Sequence, residues 1–301
     1  MTQYDLYQVD TFTKTKFTGN ATSILTDARG LTDAQMLQIT RKLNNSETAF
    51  VIPGKDTEAD VTVRFFTPTG ETPVCGHATI AVANLLAQLQ QLTTGQFKIR
   101  TKAGIIPVTI ALDDDGQTLA TMTQNKIAFE ARLTGQTLAN LFQALHVTKA
   151  DLIPDLPIQI VNTGHSKVMV PLVELATLNQ LKPDLALLTK ISQEVGANGF
   201  YPFVVTAKQP EFHIHGRMFA PISDNDEDPV TGNANGELGA YLVKYGFSEK
   251  GTSSFFFKAY MGNVLHRPGV VEVAVEKQGD RPSAVKIAGG IVHVFQTKLE
   301  V

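Results

Sequence analysis

Glu71-Thr72-Pro73-Val74-Cys75-Gly76-His77-Ala78 and Glu227-Asp228-Pro229-Val230-Thr231-Gly232-Asn233-Ala234 are two copies of one stretch, and their agreement decides the fold. Five of the eight positions carry the same residue: Glu, Pro, Val, Gly and Ala. Thr72/Asp228, Cys75/Thr231 and His77/Asn233 differ. Upstream, Arg64-Phe65-Phe66-Thr67-Pro68 matches Arg217-Met218-Phe219-Ala220-Pro221, with a connecting loop three residues longer in the second copy. Downstream, each copy enters an apolar helical pattern, through Asn84-Leu85-Leu86 or Ala240-Tyr241-Leu242. The copies begin 153 residues apart, at Arg64 and Arg217, about half of the 301-residue chain. That period is too long for a solenoid and indicates two homologous halves, each strand–loop–Gly–helix.

Outward from these turns, strands dominate. Alternating or short apolar runs predict strands at Tyr4–Asp10, Ala21–Leu25, Ser46–Ile52 (opened by the polar pair Ser46-Glu47), Asp60–Phe66, Lys98–Arg100, Ile105–Leu112 and Thr118–Thr123. In the second half the same signals mark Gln159–Thr163, Lys167–Val170, Tyr201–Thr206, Phe212–Phe219, Phe255–Ala259, Val270–Val275 and Ile291–Phe295. Helical spacing predicts Thr32–Leu43, with Thr32 as N-cap and Gln35 closing a capping box. It also predicts Thr79–Leu92, Leu138–Leu145, Asp184–Glu194 and Ala234–Tyr245. Few helices, not alternating one-to-one with strands, argue α+β and not a doubly wound parallel sheet. The halves are read as residues 1–120 and 121–301, with a final strand, 288–301, able to return to the first.

Composition narrows the function. A net charge of -3 with scattered Lys and Arg gives no footprint for nucleic acid or an anionic membrane. The single cysteine, Cys75, cannot form an internal disulfide, and no Cys cluster offers a zinc site. The first residues lack a signal-peptide pattern, and no apolar run approaches the roughly 20 residues that span a bilayer. The expected location is cytoplasmic. Neither a dinucleotide fingerprint, a P-loop nor a Gly-x-Ser-x-Gly elbow occurs. His213-x-His215 has the look of a metal pair, but strand alternation explains it without a third ligand, and no metal is expected.

Helix N-termini carry unpaired N–H groups and partial positive charge, so two Gly turns that face one cleft make a site for a carboxylate. The plainer reading is that each Gly only permits a tight turn. Asymmetric chemistry belongs at mismatched positions, which points to His77 and Asp228. Glu47, before the apolar run Ala49–Ile52, joins them, because desolvation raises a carboxyl pKa towards the range a general acid/base needs. Taken singly, each has a bland role: Glu47 as a cap or surface residue, His77 as a hydrogen-bonded helix start, Asp228 as an N-cap before Pro229.

Val9-Asp10-x-Phe12, Phe17-x-Gly19-Asn20, Ser46-Glu47-Thr48-Ala49-Phe50, Cys75-Gly76-His77-Ala78-Thr79 and the Glu227–Ala234 block together resemble the PhzF-type phenazine biosynthesis proteins. Met261-Gly262, Arg267-Pro268-Gly269 and Ala288-Gly289-Gly290 also fit. The resemblance implies the diaminopimelate-epimerase-like fold: two pseudo-symmetric halves, each a mostly antiparallel sheet wrapped around a central helix, with the site between them. It implies a homodimer and a cofactor-independent proton transfer on a small carboxylate. The family's best-understood enzyme isomerises a dihydro-hydroxyanthranilate with a glutamate shuttle, which maps to Glu47, assisted by His77 and Asp228. Gly76, Gly232, Asn233 and Asn20 become substrate-binding residues. Asn233 stands where the family has Ser, and Asn is a poorer proton relay. Relatives with one catalytic cysteine per half would place them at Cys75 and Pro229, so a two-thiol mechanism is excluded. Cys75 is left as packing or catalytic. The expected function is an isomerase or epimerase with Glu47 as acid/base; the alternative is a catalytically silent metabolite-binding protein.

Overall fold

The computed structural model describes residues 2–54, 57–124, 126–207, 212–222 and 226–301. Part of the longer connecting loop of the second copy, residues 223–225, lies outside them. The chain forms two compact units, Met1–Thr123 with Ala288–Val301, and Gln124–Ile287.

Unit 1 contains β1 (Gln3–Thr11), β2 (Asn20–Leu25), α1 (Asp33–Leu43), β3 (Thr48–Pro53), β4 (Val61–Phe66), β5 (Glu71–Thr72), α2 (Gly76–Leu89), β6 (Gly95–Thr101), β7 (Gly104–Leu112) and β8 (Thr118–Gln124). Unit 2 follows with β9 (Ala128–Arg132), α3 (Gly135–Leu145), β10 (Gln159–Asn162), β11 (Ser166–Pro171), α4 (Leu175–Gln180), α5 (Leu185–Val195), β12 (Phe200–Ala207), β13 (Phe212–Gly216), β14 (Met218–Phe219), β15 (Glu227–Asp228), α6 (Gly232–Lys244), β16 (Ser254–Met261), β17 (Gly269–Gln278) and β18 (Arg281–Gly289). The last strand, β19 (Ile291–Glu300), returns to pair antiparallel with β1.

The same pairing grammar runs through both units. β1–β2 is antiparallel, β2–β3 parallel, β3–β4 antiparallel, β4–β6 parallel and β6–β7 antiparallel. β10–β11, β11–β12, β12–β13, β13–β16 and β16–β17 repeat that order of directions. The fold is α+β, as the pattern of strands and few helices predicts, with the mostly antiparallel pairing that the resemblance implies.

In each unit helices cover both faces of the strands. In unit 1, Met36 and Ile39 of α1 pack with Leu6, Leu25, Phe50 and Phe66 on one face. In unit 2, Leu141 and Leu145 of α3 and Leu188 and Ile191 of α5 pack on Val168, Val170, Phe200 and Val204. The other faces receive α2 and α6, which are buried on nearly every side. Helices that are apolar all round belong in an interior. Side chains such as Leu85 and Leu242, both fully buried, each contribute roughly 1.5–3 kcal/mol relative to exposure. The chain's end closes unit 1: Asn84 Nδ2 donates to Gly289 O at 2.9 Å, and Phe12 N–H donates to Gly290 O at 3.0 Å. A Cβ on Gly289 would lie 2.2 Å from the Phe12 ring, so only glycine allows that approach.

The main departures from the sequence reading are local. Thr32 caps α1 in a full capping box, as expected. The strand expected over Phe212–Phe219 breaks after Gly216, and the Pro221–Glu227 loop ends in the short strand β15. β9, α4 and β18 carry no distinctive sequence signal; β9 is largely exposed, so burial imposed no apolar pattern on it. Among the described residues no helix is long and apolar enough to cross a membrane.

Candidate active site

Glu47 is the last residue before β3, not the opening of the strand, and its carboxylate reaches the start of α2. Glu47 Oε2 lies 3.5 Å from His77 Nε2. It is a buried oxygen that accepts no hydrogen bond among the described residues, although the side chain as a whole is 21% exposed. His77 is buried at the second residue of α2, with Cys75 Sγ 3.5 Å from its Nδ1. The trio of Glu47, His77 and Cys75 is thus assembled from two segments distant in sequence. The buried carboxylate oxygen has an imidazole as its neighbour, the arrangement in which a proton can be held and returned. A carboxylate, a thiol and an imidazole with donor atoms within 4.8 Å of one another are also a set that could hold a metal ion. Chain spacing gave no sign of this, because the set assembles only in the fold. His213 and His215, the pair weighed as metal ligands, pack instead on Tyr260, at ring-centroid distances of 5.2 and 5.3 Å.

The helix start beside this trio is left open. α1 and α5 are capped by the side chains of Thr32 and Asp184, but Cys75 and Thr231, which precede α2 and α6, supply no side-chain cap. Instead a buried residue four positions on bonds each N-cap carbonyl: Thr79 Oγ1 to Cys75 O at 2.6 Å, and Asn235 Nδ2 to Thr231 O at 2.7 Å. The N–H groups of these first turns therefore receive no capping bond from the side chain of Cys75 or Thr231, and a helix start of that kind suits an anion.

The approach to each turn is duplicated too. Arg64 donates through Nε and Nη2 to the two oxygens of Glu71, at 2.8 and 3.0 Å, and lies over Phe66 at 5.1 Å. Arg217 does the same to Glu227, at 2.8 and 2.8 Å, and lies over Phe219 at 4.8 Å. These bidentate pairs pin the short strands β5 and β15 that lead into the turns.

Unit 1 holds Glu47, Cys75, Gly76, His77 and Asn20, which begins β2, the parallel neighbour of β3. Unit 2 holds Asp228 in β15, Gly232 and Asn233. Asn233 is engaged, since Gln124 Nε2 donates to its Oδ1 at 2.8 Å.

Two of the buried charged residues in unit 2, Glu237 and Lys167, were missed. Glu237 on α6 has no exposed surface, and burial pushes its carboxyl up to about 8; Thr163 Oγ1 lies 3.5 Å from its Oε1. Lys167 on β11 is almost as buried, which pulls its ammonium down, against the charges of Glu237 and Asp228. The signal was available: a lysine inside the run Ser166–Pro171 and a glutamate between Gly236 and Leu238 in the predicted helix Ala234–Tyr245.

The description "Phenazine biosynthesis-like protein" matches residues 9–297 of the chain. The chain belongs to the PhzC-PhzF family. An uncharacterized isomerase of Clostridium acetobutylicum is 48% identical to this family member over 297 residues, 99% of this chain and 98% of its own. The crystal structure of a PhzF-family phenazine biosynthesis protein of Bacillus anthracis matches with a TM-score of 0.88 and 28% identity, covering 100% of both chains. A hydroxyproline epimerase of Agrobacterium vitis shares the fold at a TM-score of 0.64 and 14% identity, over 99% of this PhzC-PhzF chain and 92% of its own.

Proposed function

We propose that the chain is a cofactor-independent isomerase or epimerase that moves a proton on a small cyclic or amino-acid-like carboxylate, with Glu47 as general acid/base. The relatives' name, isomerase, supports the reaction class. The observation that carries the assignment to Glu47 is its buried, hydrogen-bond-free oxygen 3.5 Å from His77 at the uncapped start of α2. Glu47 takes a proton from carbon and returns it to the same molecule. His77 orients that carboxylate and balances its charge. The amide at Gly76 binds the substrate carboxylate and Asn20 another of its polar groups; Gly232, Asp228 and Asn233 are the corresponding binding candidates of unit 2. We further propose a homodimer, which light scattering on the purified chain would test.

The deciding experiment incubates the protein in deuterated water with a panel of cyclic amino and hydroxy acids. The expected outcome is deuterium incorporated at carbon into a compound of otherwise unchanged mass, and lost in Glu47→Gln. Tight binding of an acid with no Glu47-dependent exchange would count against the reading.

The second reading is a binding protein without turnover. It is favoured by Asn233, whose Oδ1 already accepts from Gln124 and cannot relay a proton. Retained affinity in Glu47→Gln, together with a wild-type protein that never exchanges its ligand's protons, would select it.

A further inference from the structure

Glu47, Cys75 and His77 bring a carboxylate, a thiol and an imidazole to one place in unit 1, and the proposed proton transfer uses only the first and the last. The separations suit ligands around one ion. Glu47 Oε2 lies 3.5 Å and Cys75 Sγ 3.9 Å from the same nitrogen, His77 Nε2. The three donor atoms all lie within 4.8 Å of one another. Around a tetrahedral Zn²⁺, bonds of about 2.0–2.3 Å put neighbouring ligand atoms roughly 3.3–3.6 Å apart. Small side-chain rotations therefore close the set.

The three residues stand on ordered backbone. Thr79 Oγ1 donates to Cys75 O at 2.6 Å, and His77 is buried in the first turn of α2. Glu47 directly precedes Thr48, which opens the antiparallel register of β3 with β4 opposite Phe66. Glu47 Oε2 is buried and accepts no hydrogen bond among the described residues. A buried carboxylate oxygen in that state calls for a proton, a substrate or an ion. The donor set selects among ions. Mg²⁺ and Ca²⁺ take oxygen ligands, whereas thiolate and imidazole together suit Zn²⁺ and its borderline-soft neighbours. A thiol at a helix start also ionises more readily than one in the open.

The duplication supplies a control inside the molecule. Ser23 pairs with Thr48 across β2–β3, and Val168 pairs with Phe200 across β11–β12. The residue before Thr48 is Glu47, and the residue before Phe200 is Gly199. A Cβ at Gly199 would lie 2.5 Å from Met218 Cε and 2.6 Å from Phe219 O, so unit 2 has no room for a side chain where unit 1 carries its carboxylate. Thr231 and Asn233 stand where unit 1 has the thiol and the imidazole. The same backbone in unit 2 offers none of the three ligands at these places.

We propose that Glu47, Cys75 and His77 bind a borderline-soft divalent cation of the zinc class, and that the bound ion silences Glu47 as a base. Binding releases the Cys75 thiol proton to solvent and forms a metal–sulfur bond. It also occupies the lone pair with which Glu47 takes a proton from carbon. Three protein ligands leave a fourth position for water. The silencing rests on the isomerase reading; the binding does not.

Cobalt(II) added to the full chain is the probe, and Mg²⁺ is the control. Cys75 is the only cysteine in the sequence, so a thiolate-to-cobalt charge-transfer band reports that residue without any substitution. We expect the band in wild type, saturating at one ion per chain, displaced by Zn²⁺ and untouched by excess Mg²⁺. Glu47→Gln and His77→Gln keep the thiol, so the band also reads their affinity. Each should weaken cobalt binding by at least the roughly 10–100-fold that loss of an outer-shell partner costs a metal site. Absence of the band in wild type, or an affinity that neither substitution lowers, would overturn the proposal; the wild-type spectrum decides even if a variant does not fold. On an acid that wild type exchanges, saturating Zn²⁺ should cut deuterium incorporation at least tenfold, with recovery on chelation. Undiminished exchange at saturation would overturn the silencing. If no acid exchanges while the cobalt band appears and depends on Glu47 and His77, the isomerase reading fails and the metal site stands. Exchange without a cobalt band leaves the isomerase reading and removes the metal site.

Discussion

The starts of α2 and α6 are the same backbone put to different uses. Both follow a strand pinned by a bidentate Arg–Glu pair, both open at a Gly without a side-chain cap, and in both a buried residue four positions on bonds the N-cap carbonyl. Around α2 stand Glu47, His77 and Cys75; the matching places in unit 2 hold Gly199, Asn233 and Thr231. Duplication kept the residues that set chain geometry and released those that do not. Chemistry is therefore to be sought where the copies disagree, and removing it from one copy should cost activity without touching the shared scaffold.

Glu47→Gln is the largest expected effect. It preserves shape and hydrogen-bonding reach but cannot take a proton, so exchange should fall by about 10²–10⁴-fold with a melting temperature near wild type. His77→Asn makes the first turn copy the second at that position. If His77 works through Glu47, as proposed, its loss should be smaller, and the acid limb of the pH–rate profile should move along with the rate. An unmoved profile would mean that the imidazole only packs.

The shared scaffold gives the next effect. Arg217 is 8% exposed and, besides Glu227, donates to Leu178 O and Leu181 O at 3.1 and 2.8 Å. Arg64 is 24% exposed and shares its charge with Asp33, which faces solvent. Arg217→Met should cost about 3–5 kcal/mol, the penalty for stranding a part-buried carboxylate, and Arg64→Met about 1–2 kcal/mol. Denaturant unfolding of both variants measures the ratio; equal costs would mean that burial does not distinguish the copies.

The fold was legible because its evidence is local and doubled: Arg64-Phe65-Phe66 against Arg217-Met218-Phe219 requires no knowledge of distant contacts. Thr32 and Gln35 announced the start of α1 for the same reason. Lys167 and Glu237 were not found because a charge inside an apolar stretch gains meaning only from what packs on it, here α6 against β11 and β10. The Glu47–His77–Cys75 trio was half legible. Each residue was named, but the 3.5 Å approach of Glu47 to His77 depends on β3 lying against the start of α2.

Glu237 sharpens the comparison of the two central helices, since no carboxylate is buried in α2. Its folded-state value of about 8 lies above its ordinary 4.5, so between these values the folded protein binds more protons than the unfolded chain. Stability therefore falls as pH rises from about 4.5 through 8, each unit of difference being worth about 1.4 kcal/mol before relaxation. Glu237→Gln keeps the shape and removes the titration. Calorimetry should find variant and wild type close at pH 5 and the variant more stable at pH 8. Parallel curves would place the proton elsewhere.

Cys75 is the mismatch with the smallest expected effect, and it tests whether every disagreement between the copies carries chemistry. Its Sγ lies 3.5 Å from His77 Nδ1, close enough for a thiol–imidazole couple, yet a buried cysteine also serves as a small packing residue. Unit 2 uses Thr231 there. If the thiol transfers a proton, Cys75→Ala should cost about 10²–10⁴-fold in exchange, and Cys75→Thr should be equally inactive. If it packs, Cys75→Ala should lose about 1 kcal/mol of stability with exchange near wild type, and Cys75→Thr should be tolerated, because the same turn already accepts that residue in the other copy. The second outcome is expected. Pro229 leaves unit 2 without a thiol partner, and the proposed base, Glu47, already lies beside His77.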